Sequence, residues 1–295
     1  MRCLIIGVDG SFGGALSRSL QSLGYEVIAT TRRRDCACDH LFLDLAAPLP
    51  SLPQVDVAVI CAAMARLEEC RRYPELAHRV NVAAPLEIAR TLTQAGARVM
   101  LLSTSSVLGC LTPRVDESVR PMPRSAYARL KAEAEARLLE LGSQVSVLRL
   151  TKVVKPNAGP LSEWIRQLGE GKPVQAFDDS RFCPLAVAPV VDAITAVIEG
   201  GQGGVYHLSG KADVSYAEAA SYFAQRIGVA NDLVEPVHGV DSGLRQEELT
   251  PFTSLTCGRL TLLTGFTPPE PLDVLQDVYG PEIDAARQML AAHAG

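Results

Sequence analysis

The strongest constraint on this chain is the alternation, through its first half, of short apolar runs with helix-length amphipathic segments. Residues 3–6, 25–29, 41–43, 57–61, 98–102 and 145–150 are apolar runs too short for globular helices and read as strands. Between them, residues 12–23, 66–95 and 125–141 repeat apolar side chains at helical spacing, the last as Tyr127, Leu130, Ala134, Leu138 and Leu141. Such alternation predicts an α/β fold built on a doubly wound parallel sheet. Val57-Ala58-Val59-Ile60 is apolar at every position, as a strand covered on both faces requires.

After Leu150 the pattern changes, because Lys155-Pro156-Asn157-Ala158-Gly159-Pro160 interrupts any regular element. A smaller C-terminal substrate-binding region is therefore expected over 156–295, with the first domain over 1–155 and a segment near 187–210 returning to it. In that later part the sequence predicts a helix opened by Pro189 (190–199), a turn at 200–204, a strand at 205–208, a helix over 215–227 and a terminal helix over 285–294.

With 28 Lys plus Arg against 33 Asp plus Glu, a net charge of −5 offers no field for nucleic acid or acidic lipid. The longest apolar stretch, 57–65, is far short of the roughly 20 residues that span a bilayer, so no membrane partner is expected. Met1-Arg2 leads directly into the first strand without a secretory leader, and the eight cysteines read as reduced, mostly buried thiols, which points to the cytoplasm. Cys36 and Cys38 lack a second ligand pair at zinc spacing, and no metal is expected.

Gly7-Val8-Asp9-Gly10-Ser11-Phe12-Gly13 falls between the first strand and the first helix. Glycines there let backbone N–H groups approach a pyrophosphate, which the helix N-terminus then attracts. Gly7, Gly10, Ser11, Phe12 and Gly13 are thus candidate contacts to a dinucleotide in a Rossmann-type domain. An NAD-binding chain carries a carboxylate near the end of its second strand; here that place reads Thr30-Thr31-Arg32-Arg33-Arg34. Guanidinium groups suit a 2′-phosphate, so NADPH is favoured, with Thr31, Arg32 and Arg33 as contacts. NAD is the alternative, and Asp35 is the nearby carboxylate that opposes the NADPH reading.

Tyr127 and Lys131 share one face of a predicted helix, and Leu101-Leu102-Ser103-Thr104-Ser105-Ser106-Val107 leaves a strand at its carboxyl end, where open α/β sheets bind ligands. In this order and spacing the chain resembles the extended short-chain dehydrogenase/reductase family, in particular its dTDP-4-dehydrorhamnose reductase-like, sugar-nucleotide reductase branch. Further segments carrying the likeness are 74–85, 103–109, Asp116-Glu117 and 204–210. The resemblance implies that Thr104 is the catalytic hydroxyl, Tyr127 the acid, Lys131 its partner and Asn81 a further member of the catalytic set. It also implies adenine contacts from Asp44 and Leu45, with Cys61-Ala62-Ala63 passing beneath the cofactor ribose; a plain turn role for Asp44 is the other reading.

The activity so implied is NADPH-dependent reduction of a keto group, the partner a small molecule of the nucleotide-sugar kind. Lys131, together with oxidised nicotinamide, would favour the Tyr127 phenolate. Alternatives are an NAD-retaining epimerase or dehydratase and a cofactor-binding regulatory subunit; a homodimer is left open. Two departures from the family pattern stand out. Ala128, Arg129 and Leu130 replace its glycine and hydroxyl, and Ser105-Ser106 after Thr104 is closer to epimerases. Residues 181–184 are a candidate wall of the sugar pocket. Trp164 is expected in packing and His207 in the core; His40, His78, His238 and His293 have no ligand partners at useful spacing, and Arg71-Arg72 reads as a solvated helix face.

Overall fold

A computed structural model of the chain describes residues 1–10, 12–34, 40–243 and 245–294. The predicted runs become β1 (Arg2–Ile6), β2 (Glu26–Thr31), β3 (Leu41–Phe42), β4 (Val57–Ile60), β5 (Arg98–Thr104) and β6 (Val145–Leu150). All pair in parallel, and the Gly204–Leu208 strand joins the free edge of β6, also in parallel. Across the seven-stranded sheet the order is Gly204–Leu208, β6, β5, β4, β1, β2, β3. The winding reverses between β1 and β4, and the crevice beyond their carboxyl ends is where such sheets hold ligands.

The helices are α1 (Gly13–Ser22), α2 (Leu67–Arg72), α3 (Pro74–His78), α4 (Ala84–Gln94), α5 (Ala126–Leu139), α6 (Gly159–Gly169), α7 (Val187–Gly200), α8 (Tyr216–Ile227), α9 (Gly258–Thr264) and α10 (Pro271–Ala294). One sheet face is covered by Leu16 and Leu20 of α1, Val190 and Ile194 of α7 and Leu260 of α9. The other takes Ile88 and Leu92 of α4 with Ala134 and Leu138 of α5. A third core joins α6, α8 and α10 through Leu161, Ile165, Phe223, Leu275 and Tyr279. Trp164 packs against it, its ring edge-on to Tyr216 with centroids 6.1 Å apart.

Several boundaries differ from the sequence reading, chiefly at prolines. The stretch 66–95 is not one helix: Pro74 opens α3, and a π-helical turn, Arg79–Ala83, precedes α4. Pro189 does not open its helix, which starts at Val187; it lies in the first turn, where an N–H would have no intrahelical partner. The terminal helix begins at Pro271 rather than 285, and Gly280-Pro281 within it is the breaker signal that hid its first half. The helix read at 215–227 is bounded as expected, by a capping box in which the Ser215 hydroxyl accepts the Glu218 N–H and Glu218 accepts the Ser215 N–H. Arg259 of α9 donates to the carbonyls of Val205 and Gly203 and lies 4.1 Å over the Tyr206 ring, fastening the edge strand. Among the described residues no helix is long and apolar enough to cross a membrane.

Candidate active site

The crevice floor is made by close backbone packing that only glycine permits. Gly7 leaves β1 at φ +93°, and a Cβ on it would lie 2.7 Å from the Ala62 Cβ. Ala62 is held there by its N–H, which donates to the Ile6 carbonyl at 3.0 Å. A Cβ on Gly13 would lie 2.8 Å from the Val8 Cα and strike the Gly7 carbonyl oxygen. Phe12 gives α1 no side-chain cap, so the first-turn N–H groups are left to an anion. Its ring packs against the α1/α7 core. Gly10 donates its N–H to the Gly7 carbonyl. Ser11 and Asp35, with Cys36 and Cys38, lie outside the described residues.

At the end of β2, Thr31 is buried, while Arg32 and Arg33 are exposed and pair with no carboxylate among the described residues. Arg34 instead lies 4.3 Å over the Phe42 ring. Asp44 accepts the Ala46 N–H at 3.0 Å, so it does form a turn, and Leu45 is a core residue. Cys61, Ala62 and Ala63 follow β4, with Cys61 and Ala62 half-buried and Ala63 exposed.

Thr104 closes β5 and caps the 3-10 turn Ser105–Leu108: its hydroxyl accepts the Ser106 N–H at 3.2 Å and shares a hydrogen bond with the Ser106 hydroxyl at 3.0 Å. α5 packs on both β5 and that turn, which brings Tyr127 and Lys131 to the same end of the sheet. Ser125 caps α5 by accepting the Ala128 N–H, and Ala128, in the place of the family glycine, is fully buried. Lys131 is buried, and burial pulls its ammonium down to about 8, against the upward pull of Glu135 and Cys61 nearby. Burial, with a smaller contribution from Cys70, holds the Tyr127 phenol well above its ordinary value. The direction is opposite to the lowering expected of Lys131 together with oxidised nicotinamide, and desolvation of the phenolate is its main cause.

Asn81, expected in the catalytic set, has its side chain bonded to the segment after β4. Its buried amide donates to the Met64 carbonyl at 3.0 Å and accepts the Met64 N–H at 2.9 Å, clamping the segment after β4.

Behind Lys131 lies a charged network that sequence reasoning missed. Glu135, one turn further along α5, accepts the Ser103 hydroxyl and a bidentate grip from Arg149 of β6. Arg149 in turn faces His207 Nε2 at 3.3 Å, and His207 Nδ1 faces the Thr256 carbonyl at 3.2 Å. Burial draws the His207 pKa down to about 4, so a neutral ring, accepting from Arg149 and donating to Thr256, satisfies both contacts. His207 is the core histidine the sequence predicted. The visible signal for the network was Arg149, a cation in an otherwise buried strand.

Two surface expectations are corrected. Arg71 is no solvated side chain; it pairs with Glu248, itself 11% exposed, on a distant loop. His238 does have carboxylates beside it, Asp178 at 2.6 Å and Asp179 at 4.0 Å, brought across by the pairing of 174–177 with 234–237.

The parallel sheet, the glycine turn and the Tyr127/Lys131 helix together define an NAD(P)-dependent oxidoreductase of the extended short-chain dehydrogenase/reductase type. The family described as RmlD substrate binding domain matches residues 1–270, and the chain belongs to it. It is 27% identical over 276 residues to the dTDP-4-dehydrorhamnose reductase of Mycobacterium tuberculosis, covering 90% of this chain and 88% of that one. Its fold is similar to the structure of a dTDP-4-dehydrorhamnose reductase from Clostridium acetobutylicum, with TM-score 0.81, 21% identity and coverage of 95% and 99%. The Bacillus anthracis dTDP-4-dehydrorhamnose reductase, solved in complex with NADP, gives TM-score 0.77 at 20% identity, with the same coverage of 95% and 99%.

Proposed function

We propose that this chain reduces a keto group of a nucleotide-activated sugar, using NADPH. The observation that supports the reading is the packing of α5, which carries Tyr127 and the buried Lys131, on β5 and on the turn that Thr104 caps, with Lys131 within electrostatic reach of Cys61 after β4. The glycine turn fits a dinucleotide: its backbone packs so closely at Gly7 and Gly13 that side chains are excluded, and the N-terminus of α1 has no side-chain cap. Arg32 and Arg33, unpaired among the described residues, would hold the 2′-phosphate, with Cys61, Ala62 and Ala63 beneath the ribose. When bound, the dihydronicotinamide supplies hydride to the carbonyl carbon.

The protein's own side chains manage the oxygen. Thr104 donates a hydrogen bond that orients the carbonyl. Tyr127, kept a phenol by burial, gives its proton to that oxygen as alkoxide character develops. Lys131, still protonated at neutral pH, places positive charge beside the phenol and stabilises it once the proton has left. Asn81 is a positioning residue that holds the segment after β4 through Met64.

The region 156–295, with its own core, takes the nucleotide sugar, and residues 181–184 border it. The cytoplasm is the proposed location: the described cysteines, Cys3, Cys61, Cys70, Cys110, Cys183 and Cys257, are all free thiols. NADPH oxidation, followed at the nicotinamide absorbance across a panel of 4-keto sugar nucleotides, tests the reading. Turnover is expected with at least one of them, and Tyr127→Phe should lower it by about 10²–10⁴-fold while NADPH still binds. A panel left wholly unreduced, or a Tyr127→Phe enzyme of near wild-type rate, would overturn it.

A further inference from the structure

We propose that Asp9, in the glycine turn, takes the place of the strand-end carboxylate and reads the adenosine ribose, so that the pocket admits NADH as well as NADPH. The inference rests on the cofactor reading above. In dinucleotide-binding sheets the group at the end of β2 decides between a ribose 2′-hydroxyl and a 2′-phosphate. Here β2 ends in Thr31, which has no charge, but a carboxylate reaches that point from the turn after the neighbouring strand β1: the Thr31 hydroxyl donates to Asp9 Oδ2 at 2.6 Å.

The contact is built into the fold. Thr31 is 1% exposed, and its hydroxyl also accepts the Arg33 N–H at 3.0 Å, so it cannot swing away. One residue earlier in β2, the Thr30 hydroxyl accepts the Gly7 N–H at 3.1 Å and the Thr30 carbonyl accepts the Val8 N–H at 3.0 Å. Two consecutive bonds thereby fasten the turn to the strand immediately before the place where Asp9 projects. Thr31, a residue expected to touch cofactor, has its hydroxyl committed in both directions; it positions Asp9 rather than meeting the ribose itself.

Asp9 is exposed, and its Oδ1 has no partner among the described residues. An ionised carboxylate only accepts hydrogen bonds, which suits a 2′-hydroxyl and repels a 2′-phosphate. Arg32 and Arg33, exposed beside it, have the opposite preference. Arg34 is withdrawn onto Phe42. The end of β2 thus carries opposed determinants, and discrimination between the two dinucleotides is the balance of Asp9 against two arginines.

Isothermal titration of the full chain with NADPH and with NADH tests this without any sugar substrate. The wild-type protein should bind both. Asp9→Asn keeps an oxygen for the Thr31 hydroxyl but removes the charge; NADPH should tighten and NADH weaken, moving the ratio of their Kd values about tenfold toward NADPH, the factor of a like-charge contact of about 1.4 kcal/mol. Thr31→Val, shown to be folded by its thermal melt, leaves the charge but frees it, and should weaken NADH more than NADPH. A Kd ratio unchanged by Asp9→Asn, or a wild-type protein that binds NADPH with no detectable NADH binding, overturns the assignment of Asp9 and leaves the cofactor reading standing. Failure of the wild-type protein to bind either dinucleotide overturns both.

Discussion

Arg149 holds both carboxylate oxygens of Glu135, at 2.7 and 3.2 Å, where the two side chains are only 4% and 2% exposed. A buried ion pair adds little over an apolar pair of the same shape, but removing one partner strands the other charge. Arg149→Met is therefore expected to lower the unfolding free energy by about 3–5 kcal/mol in urea denaturation at pH 7. Removing both charges, Glu135→Leu with Arg149→Met, should cost less than Arg149→Met alone. A double variant less stable than the single one would show that the pair is not the source of the loss.

The same carboxylate sets the pH range of the proposed reaction. Carbonyl reduction needs Tyr127 as a phenol and Lys131 as an ammonium, and of the two Lys131 loses its proton first, at about 8. kcat/KM should hold through neutrality and fall as pH rises through about 8. Glu135→Gln removes the negative charge that props up the ammonium, so the falling limb should move to lower pH; a purely structural role for Glu135 would leave it in place. Stability has its own sign. The Lys131 pKa is depressed from 10.5 in the folded chain, so the unfolded chain binds that proton more tightly and the penalty is relieved as pH rises from about 8 to 10.5. Lys131→Met should flatten this part of the urea-midpoint profile relative to wild type.

Asn81 spends its amide on the Met64 backbone, and this distinguishes holding from reacting. Asn81→Ala removes a buried amide and its two hydrogen bonds to Met64, and should cost about 1–3 kcal/mol of stability. In kinetics it should raise the KM for the dinucleotide more than it lowers kcat. A collapse of kcat at saturating cofactor would instead make Asn81 part of the reacting set.

Adjacent glycines in the first turn of α1 should behave differently. A Cβ on Gly13 meets the backbone of Gly7 and Val8, none of which can yield without moving the turn, whereas on Gly14 it lies 3.3 Å from the Val8 carbonyl oxygen. Gly13→Ala is expected to cost about 1–3 kcal/mol by overpacking and to abolish measurable dinucleotide binding. Gly14→Ala should keep most of both. Equal behaviour of the two variants in a titration would argue against the packed turn.

What could be read from the sequence was what is decided locally. An apolar run such as Val57-Ala58-Val59-Ile60 has few places to go but a covered strand, glycines at a strand-to-helix junction declare a tight turn, and Tyr127 and Lys131 share a face because one helical turn separates them. Partners brought together by tertiary folding were not legible. Arg71 looked like a solvated side chain because Glu248, its partner, lies far along the chain. The Asp9–Thr31 contact joins two segments whose local sequence suggests separate roles. α10 was half hidden because Gly280-Pro281 reads as an end, while packing of Leu275, Tyr279 and Ile283 into the third core carries the helix through it.

α9 comes late in the chain yet packs Leu260 beneath the central sheet and ties Arg259 to the edge strand beside β6. The later part of the chain is consequently stitched into the central sheet rather than appended to it. A chimera joined once, near residue 210, would import a foreign α9 against a native edge strand and leave Leu260's slot and the Val205 carbonyl mismatched. Re-tooling this scaffold for another sugar calls for an exchange with two junctions that leaves α9 in its original hands.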